Sequence, residues 1–120
     1  MKYLLLMYAN ESTAPKTPEE YQVASQTWNA FSQEILAAGV VLSNSGLSPV
    51  ATATTIRVRD SKSLITDGPF AETHEQLGGY FLIEADNLDE ATSIAARIPS
   101  ARTGTIEVRP LAESAAEAAA

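Results

Sequence analysis

The residues best able to do chemistry are concentrated in one stretch, residues 67–80, which reads DGPFAETHEQLGGY. This stretch contains the only histidine of the chain, three carboxylates and three of the six glycines. Asp-Gly-Pro favours a tight turn, because glycine tolerates a positive φ while proline fixes its own φ and lacks an N–H. We therefore expect the ionisable residues between this turn and the pair Gly78-Gly79 to lie on a constrained loop. Any acid–base chemistry of the chain is predicted to be located there.

Asp67 and His74 are the candidate catalytic residues. An aspartate can act as a general base or anchor a ligand, although Asp67 could instead accept backbone N–H bonds that stabilise its own turn. Histidine titrates near neutral pH, so His74 could exchange a proton with Glu72 or Glu75, and the alternative is an exposed loop residue without a role. Glu72, His74 and Glu75 could also hold a divalent metal. Their close spacing does not by itself produce a facial ligand set, and we predict no metal site.

Other residues are candidates for ligand binding. Phe70 is predicted to be a core residue or a plug that lines a pocket. Tyr80 could offer its hydroxyl to a ligand or pack its ring at a subunit interface. Arg57 could bind an anionic ligand if it faces a cleft, or could be solvated or paired with a glutamate on a neighbouring strand. The ligand-binding set that we predict is Phe70, Glu72, Glu75, Tyr80 and Arg57.

Composition narrows the classes of partner. The net charge of -7 makes the molecule repel phosphate, which argues against nucleic acid and anionic membranes as partners. The chain has no cysteine, no glycine-rich phosphate loop, no nucleophile elbow and no metal-binding histidine pair, so we predict no cofactor. No apolar run approaches the roughly 20 residues that span a bilayer. We expect a cytoplasmic protein.

The elements that position the loop follow from hydrophobic periodicity. Lys2 to Ala9 is predicted as a strand that is apolar on both faces, so both faces should be covered. Thr17-Pro18-Glu19-Glu20 predicts a helix start with a capping box, and the helix should run to Ala38. A second capping sequence at Asn87 predicts a helix that ends before Pro99. Further strands are predicted at residues 40–47, 51–59, 63–66, 80–85 and 105–109.

This order of elements predicts one domain over residues 1–111, followed by an Ala/Glu-rich tail over residues 112–120. Two amphipathic helices in a split βαβ pattern favour a ferredoxin-like α+β sheet, βαββαβ, with an inserted β-hairpin. Two helices cover only one face of such a sheet. Because the first strand is apolar on both faces, we predict a homodimer in which two sheets pack face to face.

The motif stretch also resembles a known family. The residues that carry the resemblance are DGPF at 67–70, Glu72-Thr73, Glu75, Leu77-Gly78-Gly79-Tyr80, Leu88-Asp89-Glu90-Ala91 and Glu107-Val108-Arg109-Pro110. Together they resemble the DGPF-motif branch of the YCII-related family over nearly the whole chain. The resemblance implies a dimeric α+β barrel built from ferredoxin-like chains. Shorter relatives are suggested to use a histidine on the first helix with an aspartate as an acid–base couple. This chain has no histidine there, and His74 stands where the DGPF pattern more usually has lysine.

Three functions are compatible with these patterns. We favour a small-molecule-binding homodimer or enzyme whose pocket lies between the sheet and the DGPF loop, with Asp67 and His74 as proton handlers. The alternative is a regulatory or accessory protein that acts through protein contacts, because the resemblance implies that some members are linked to extracytoplasmic-function sigma factors. In the third possibility, the loop has only a structural role and stabilises the dimer. A loop with only that role does not need clustered ionisable groups, which favours the first possibility.

Overall fold

A computed structural model of the chain describes residues 1–113. The strands are β1 (Lys2–Ala9), β2 (Val41–Gly46), β3 (Thr54–Arg59), β4 (Lys62–Asp67), β5 (Gln76–Glu84) and β6 (Thr105–Pro110). The helices are α1 (Pro18–Ala37) and α2 (Leu88–Arg97). Four strands form an antiparallel sheet in the order β2-β5-β1-β6, and β3 pairs with β4 in a separate sheet. The prediction of a mixed α+β protein is confirmed, and no closed barrel forms within residues 1–113.

The capping box predicted for α1 is confirmed. Thr17 Oγ1 accepts the backbone N–H of Glu20 at 3.1 Å, and the Glu20 carboxylate accepts the backbone N–H of Thr17 at 3.4 Å. These bonds satisfy donors that the first helical turn leaves unpaired. The helix ends at Ala37, one residue before the predicted Ala38, and Gly39 follows with a φ of 69°. Glycine adopts this left-handed conformation without a steric penalty, so it ends the helix.

The second helix also begins at its predicted cap. Asn87 Oδ1 accepts the backbone N–H of Glu90 at 2.9 Å at the start of α2. At the other end of the helix, Arg97 forms an ion pair with Glu34 of α1. Both side chains of the ion pair are exposed, so it contributes at most about 1 kcal/mol to stability.

The two helices cover one face of the four-stranded sheet. Tyr3 and Leu5 of β1 face this layer beside their β5 partners Ile83 and Phe81. The buried core consists of Tyr3, Leu5, Phe31, Ile35, Phe81, Ile83, Ala85, Ala91, Ile94, Ala95 and Ile98. Removal of these apolar side chains from water is the main contribution to the stability of the fold.

The other face of the sheet, called the open face below, is also apolar. Leu4 and Leu6 of β1 lie opposite Leu82 and Tyr80 of β5. Because side chains alternate along a strand, these four point away from the helices. All four are half-buried, and none belongs to the core cluster. In residues 1–113 the helices therefore leave an apolar sheet face uncovered.

The inserted hairpin predicted from the sequence is confirmed. It consists of β3, β4 and their turn, residues 54–67, and is called the arm below. The two turn residues, Asp60 and Ser61, have positive φ angles of 50° and 63°, as in a type I′ hairpin turn. All of β4 and five of the six residues of β3 are exposed. The arm thus projects into solvent.

The start of β3 differs from the prediction. We predicted a strand from Ala51, but Val50–Thr52 forms a short 3-10 turn and β3 starts at Thr54. The turn is closed by the backbone N–H of Thr52, which donates to the carbonyl oxygen of Pro49 at 2.9 Å. That local hydrogen bond withdraws these residues from the sheet.

The predicted tail, residues 112–120, falls almost wholly outside the described residues, of which Ala112 and Glu113 are the last. Within residues 1–113, neither α1 nor α2 has the combination of length and apolar composition needed to cross a bilayer.

Candidate functional site

A cavity of about 390 Å³ lies between α1, the ends of β1 and β2, and β5. Its apolar wall includes Met7 of β1, Trp28 of α1 and Phe81 of β5. The lining residues also include Ser32 of α1 and Ser100, which lies in the 3-10 turn that follows α2. Small-molecule pockets in proteins measure about 300–1,000 Å³. The cavity is therefore large enough for a small organic ligand.

Close packing of the backbone beside this cavity depends on Gly79. A Cβ at this position would lie 2.7 Å from the carbonyl oxygen of Ser45 and 2.8 Å from Cε of Met7, closer than Cβ atoms approach other atoms. Glycine is therefore required at a close backbone approach. The prediction that Gly78-Gly79 precedes the strand is wrong, because β5 begins at Gln76 and contains both glycines. Gly79 is a packing residue within the strand, not a break before it.

The polar groups that line the cavity are uncharged. None of its lining residues is Asp, Glu, Lys, Arg or His. Ser45 Oγ donates to the carbonyl oxygen of Gly46 at 2.9 Å. By contrast, Ser100 Oγ is buried and has no hydrogen-bond partner in the described part of the chain. A buried hydroxyl without a partner is unfavourable, so Ser100 is a group that a ligand could satisfy.

Tyr80 is the member of the predicted site set that lines the cavity. Strand alternation places its ring on the open face, beside Leu6 of the neighbouring strand. Its hydroxyl lies 3.2 Å from Ser43 Oγ on β2. This position suits packing at a subunit interface, and contact of the Tyr80 hydroxyl with a ligand stays a prediction.

The turn at Asp67 forms as the sequence predicts. Gly68 has a φ of 97°, and its N–H donates to the carbonyl oxygen of Ala53 at 2.7 Å. Thr55 Oγ1 donates to the carbonyl oxygen of Gly68 at 2.8 Å. These bonds hold the base of the arm together without the Asp67 carboxylate. Asp67 is exposed at the end of β4 and does not line the cavity.

The loop after this turn places its ionisable groups at the surface. Glu72 and His74 are exposed, whereas Glu75 is half-buried, and none of the three lines the cavity. Thr73 Oγ1 donates to the carbonyl oxygen of Glu75, and Gln76 Nε2 donates to that of Thr73, both at 2.6 Å. No group of three His, Cys, Asp or Glu side chains in residues 1–113 could hold a metal ion. The loop is ordered by Thr73 and Gln76, not by its charged residues.

Phe70 and Arg57 lie outside the core. Phe70 is 77% exposed, so the alternative that it is a core residue is wrong, and its role as a plug that lines a pocket stays a prediction. The reason is that the turn at Gly68 leaves Phe70 in a surface loop. Arg57 is exposed on β3, opposite Leu64 of β4. Ligand binding by Phe70 and Arg57 stays a prediction.

Sequence reasoning missed most of the cavity. Trp28 is half-buried, packs against the core and forms part of the cavity wall. Asn44 and Ser100 gave no signal, because isolated polar residues are common everywhere on protein surfaces. Ser32 did carry a signal, because it lies four residues after Trp28. That spacing places a polar residue on the apolar face of α1.

The chain was compared with known proteins. The model of the YCII-related domain matches residues 1–115, a span that contains both the cavity and the loop. The chain is also similar to an uncharacterized protein of Rhizobium meliloti (strain 1021). The two are 38% identical over 115 residues, which cover 93% of each chain. These matches confirm the resemblance at the level of the family, and the chain belongs to the YCII-related family.

Proposed function

We propose that this chain is a small-molecule-binding homodimer of the DGPF-motif branch, with one ligand in the cavity of each protomer. The observation that carries the proposal is made at Ser100, which lines a cavity of about 390 Å³ and whose buried hydroxyl has no hydrogen-bond partner within residues 1–113. Hydrogen-bonding groups that converge on a concave apolar surface are typical of ligand sites.

The lining of the cavity indicates the class of ligand. A charged ligand would be desolvated without a compensating charge, because no ionisable side chain lines the cavity. Trp28, Met7 and Phe81 offer an apolar surface, and aromatic rings or aliphatic chains pack well against such side chains. The ligand that fits is an uncharged aromatic or aliphatic compound with at least one hydroxyl, amide or carbonyl group for Ser100.

The homodimer is supported by the topology of the sheet. In the sheet order β2-β5-β1-β6, strand β5 lies between β1 and β2 and is antiparallel to both. This is the arrangement expected of a ferredoxin-like chain. The open face is apolar on Leu4, Leu6, Tyr80 and Leu82. Two such faces packed together would form a dimeric α+β barrel and remove this surface from water.

Asp67 and His74 remain our candidates for proton transfer. Both side chains are exposed, and neither lines the cavity. Proton transfer by these residues therefore requires a ligand position outside the cavity, between the loop and the second protomer. Ligand binding in the cavity does not depend on that chemistry.

The test is a binding titration that uses Trp28 as its reporter. The chain has one tryptophan, and it lies in the cavity wall, so its fluorescence reports binding there. A panel of uncharged phenols, benzyl alcohols and aromatic amides is titrated into wild type, Ser100→Ala and the matched control Ser93→Ala on the exposed side of α2. We expect saturable binding that Ser100→Ala weakens up to about tenfold, since one hydrogen bond contributes about 0.5–1.5 kcal/mol. The control should bind as wild type does. The proposal is wrong if no compound of the panel binds, or if both serine variants bind as wild type does.

A further inference from the structure

The arm has one apolar face and one basic face. In its register Ile56 lies opposite Ile65, and Val58 lies opposite Ser63. Since side chains alternate along each strand, Ile56, Val58 and Ile65 share one face, called the apolar arm face below. Their exposed fractions are 61%, 59% and 67%. Three large aliphatic side chains thus form one exposed patch on a projecting ribbon.

This pattern is unusual for a ribbon that remains in water. A two-stranded hairpin by itself is marginally stable, and the alternation of apolar and polar residues seen in β3 is typical of a sheet that is covered on one face. Within residues 1–113, β3 and β4 pack mainly against each other. The apolar arm face is therefore available to a partner from outside the chain.

Charge indicates which partner fits. The arm carries three basic residues, Arg57, Arg59 and Lys62, and two acidic ones, Asp60 and Asp67, so its net charge is +1. Given the total of -7, the rest of the chain carries -8. Arg59 and Lys62 lie at the tip of the arm, opposite one another. A second copy of this chain offers both the acidic body that attracts this tip and an apolar surface for the ribbon.

We propose that the arm of each protomer docks on the partner protomer through the apolar arm face, as a clasp beside the packed sheets. This inference rests on the proposed homodimer and adds a second contact region to it. The arm begins next to Ala53 and ends at Asp67, and the Gly68–Ala53 hydrogen bond joins these two ends. Docking of the arm would therefore fix the loop that follows Asp67 at the edge of the interface. Asp67 would then be positioned by contacts between subunits.

Two adjacent residues of the arm provide a matched test. Ile65 lies on the apolar arm face, and Leu64 lies on the opposite face beside Arg57, although both are exposed aliphatic residues. The full-length variants Ile65→Lys and Leu64→Lys are compared with wild type by sedimentation equilibrium. Burying one such side chain contributes about 1.5–3 kcal/mol, so Ile65→Lys should weaken the dimer by about tenfold or more. Leu64→Lys should leave the dimer dissociation constant unchanged.

A second measurement covers the case in which Ile65→Lys disturbs the hairpin itself. A photoreactive p-benzoylphenylalanine is placed at position 65 or, as the control, at position 64. We expect a covalent dimer from position 65 only, with the crosslink mapped to the second copy. A wild-type dimer that tolerates both lysine variants and gives no crosslink between subunits would overturn the arm contact and leave the homodimer intact. A monomeric wild type would overturn both.

Discussion

The ring of Phe31 on α1 meets the ring of Phe81 on β5 edge to face, with 5.7 Å between ring centroids and 85° between planes. Trp28, one helical turn earlier, meets Phe31 in the same way at 6.1 Å and 87°. Edge-to-face pairs add about 0.5–1.5 kcal/mol each beyond the burial of their surface. This row of rings joins the cavity wall to the core, so the shape of the cavity depends on core packing.

Phe81→Ala should therefore lower the free energy of unfolding. We expect a loss of about 3–5 kcal/mol in the free energy of unfolding, as is typical for removal of a buried phenylalanine. Urea denaturation followed by circular dichroism measures this loss. Leu36→Ala on the exposed surface of α1 is the control and should change the free energy by less than about 0.5 kcal/mol. Equal effects of the two substitutions would show that the aromatic row does not organise the core.

The two glycines of β5 should respond differently to alanine. A Cβ at Gly79 meets the backbone oxygen of Ser45 at 2.7 Å, whereas a Cβ at Gly78 has its nearest neighbour, the backbone oxygen of Met7, at 3.9 Å. Gly79→Ala should cost about 1–3 kcal/mol of stability through overpacking. Gly78→Ala should stay within about 0.5 kcal/mol of wild type. Thermal unfolding of both variants tests this order, and a more damaging Gly78→Ala would contradict it.

The capping box should make the stability of α1 depend on pH. Hydrogen bonds from the backbone N–H groups of Lys16 and then Thr17 lower the pKa of Glu20 below its ordinary value of 4.5. A carboxylate with a lowered pKa in the folded state stabilises the fold above the unfolded pKa. That contribution is lost as the pH falls through the folded pKa.

Glu20→Gln removes this charge. The difference in unfolding free energy between wild type and Glu20→Gln should be present at neutral pH and should shrink as the pH falls below 4.5. Denaturant titrations at a series of pH values measure the difference, with Glu19→Gln as the neighbouring control outside the capping box. A difference that stays constant across the acidic range would exclude this role of Glu20.

Asp67 and His74 should be separable from ligand binding in the cavity. Both are exposed and lie outside the cavity lining, so Asp67→Asn and His74→Ala should change the dissociation constant by no more than about twofold. The Trp28 titration measures this constant. If the chain is also an enzyme, turnover should fall in these variants while binding is kept. A large loss of binding would place the ligand beside the loop instead.

The sequence predicted those parts of the fold that local rules determine. Thr17 and Asn87 capped their helices, and Asp60 and Ser61 made the hairpin turn, because these residues act on neighbours in the chain. Gly79 was misread because its requirement for glycine comes from a neighbouring strand. Whether a glycine breaks a strand or allows close packing depends on tertiary contacts, which no local pattern contains.

The candidate site was harder to predict than the fold. The cavity combines side chains from separate elements, such as Ser32 of α1 and Ser100 after α2, that are far apart in the sequence. Of the motif stretch, Gly78 and Tyr80 line the cavity, whereas Glu72, His74 and Glu75 lie in the loop outside it. Phe70 was predicted to be a core residue or a pocket-lining plug, and its position in a surface loop leaves it exposed.

The proposed function is tested most sharply by a crystal structure of the protein with the tightest-binding compound of the panel. We predict that the compound lies in the cavity, against Trp28, with a polar group in hydrogen-bond contact with Ser100 Oγ. A compound that instead lies beside Asp67 and His74, with the cavity empty, would contradict it.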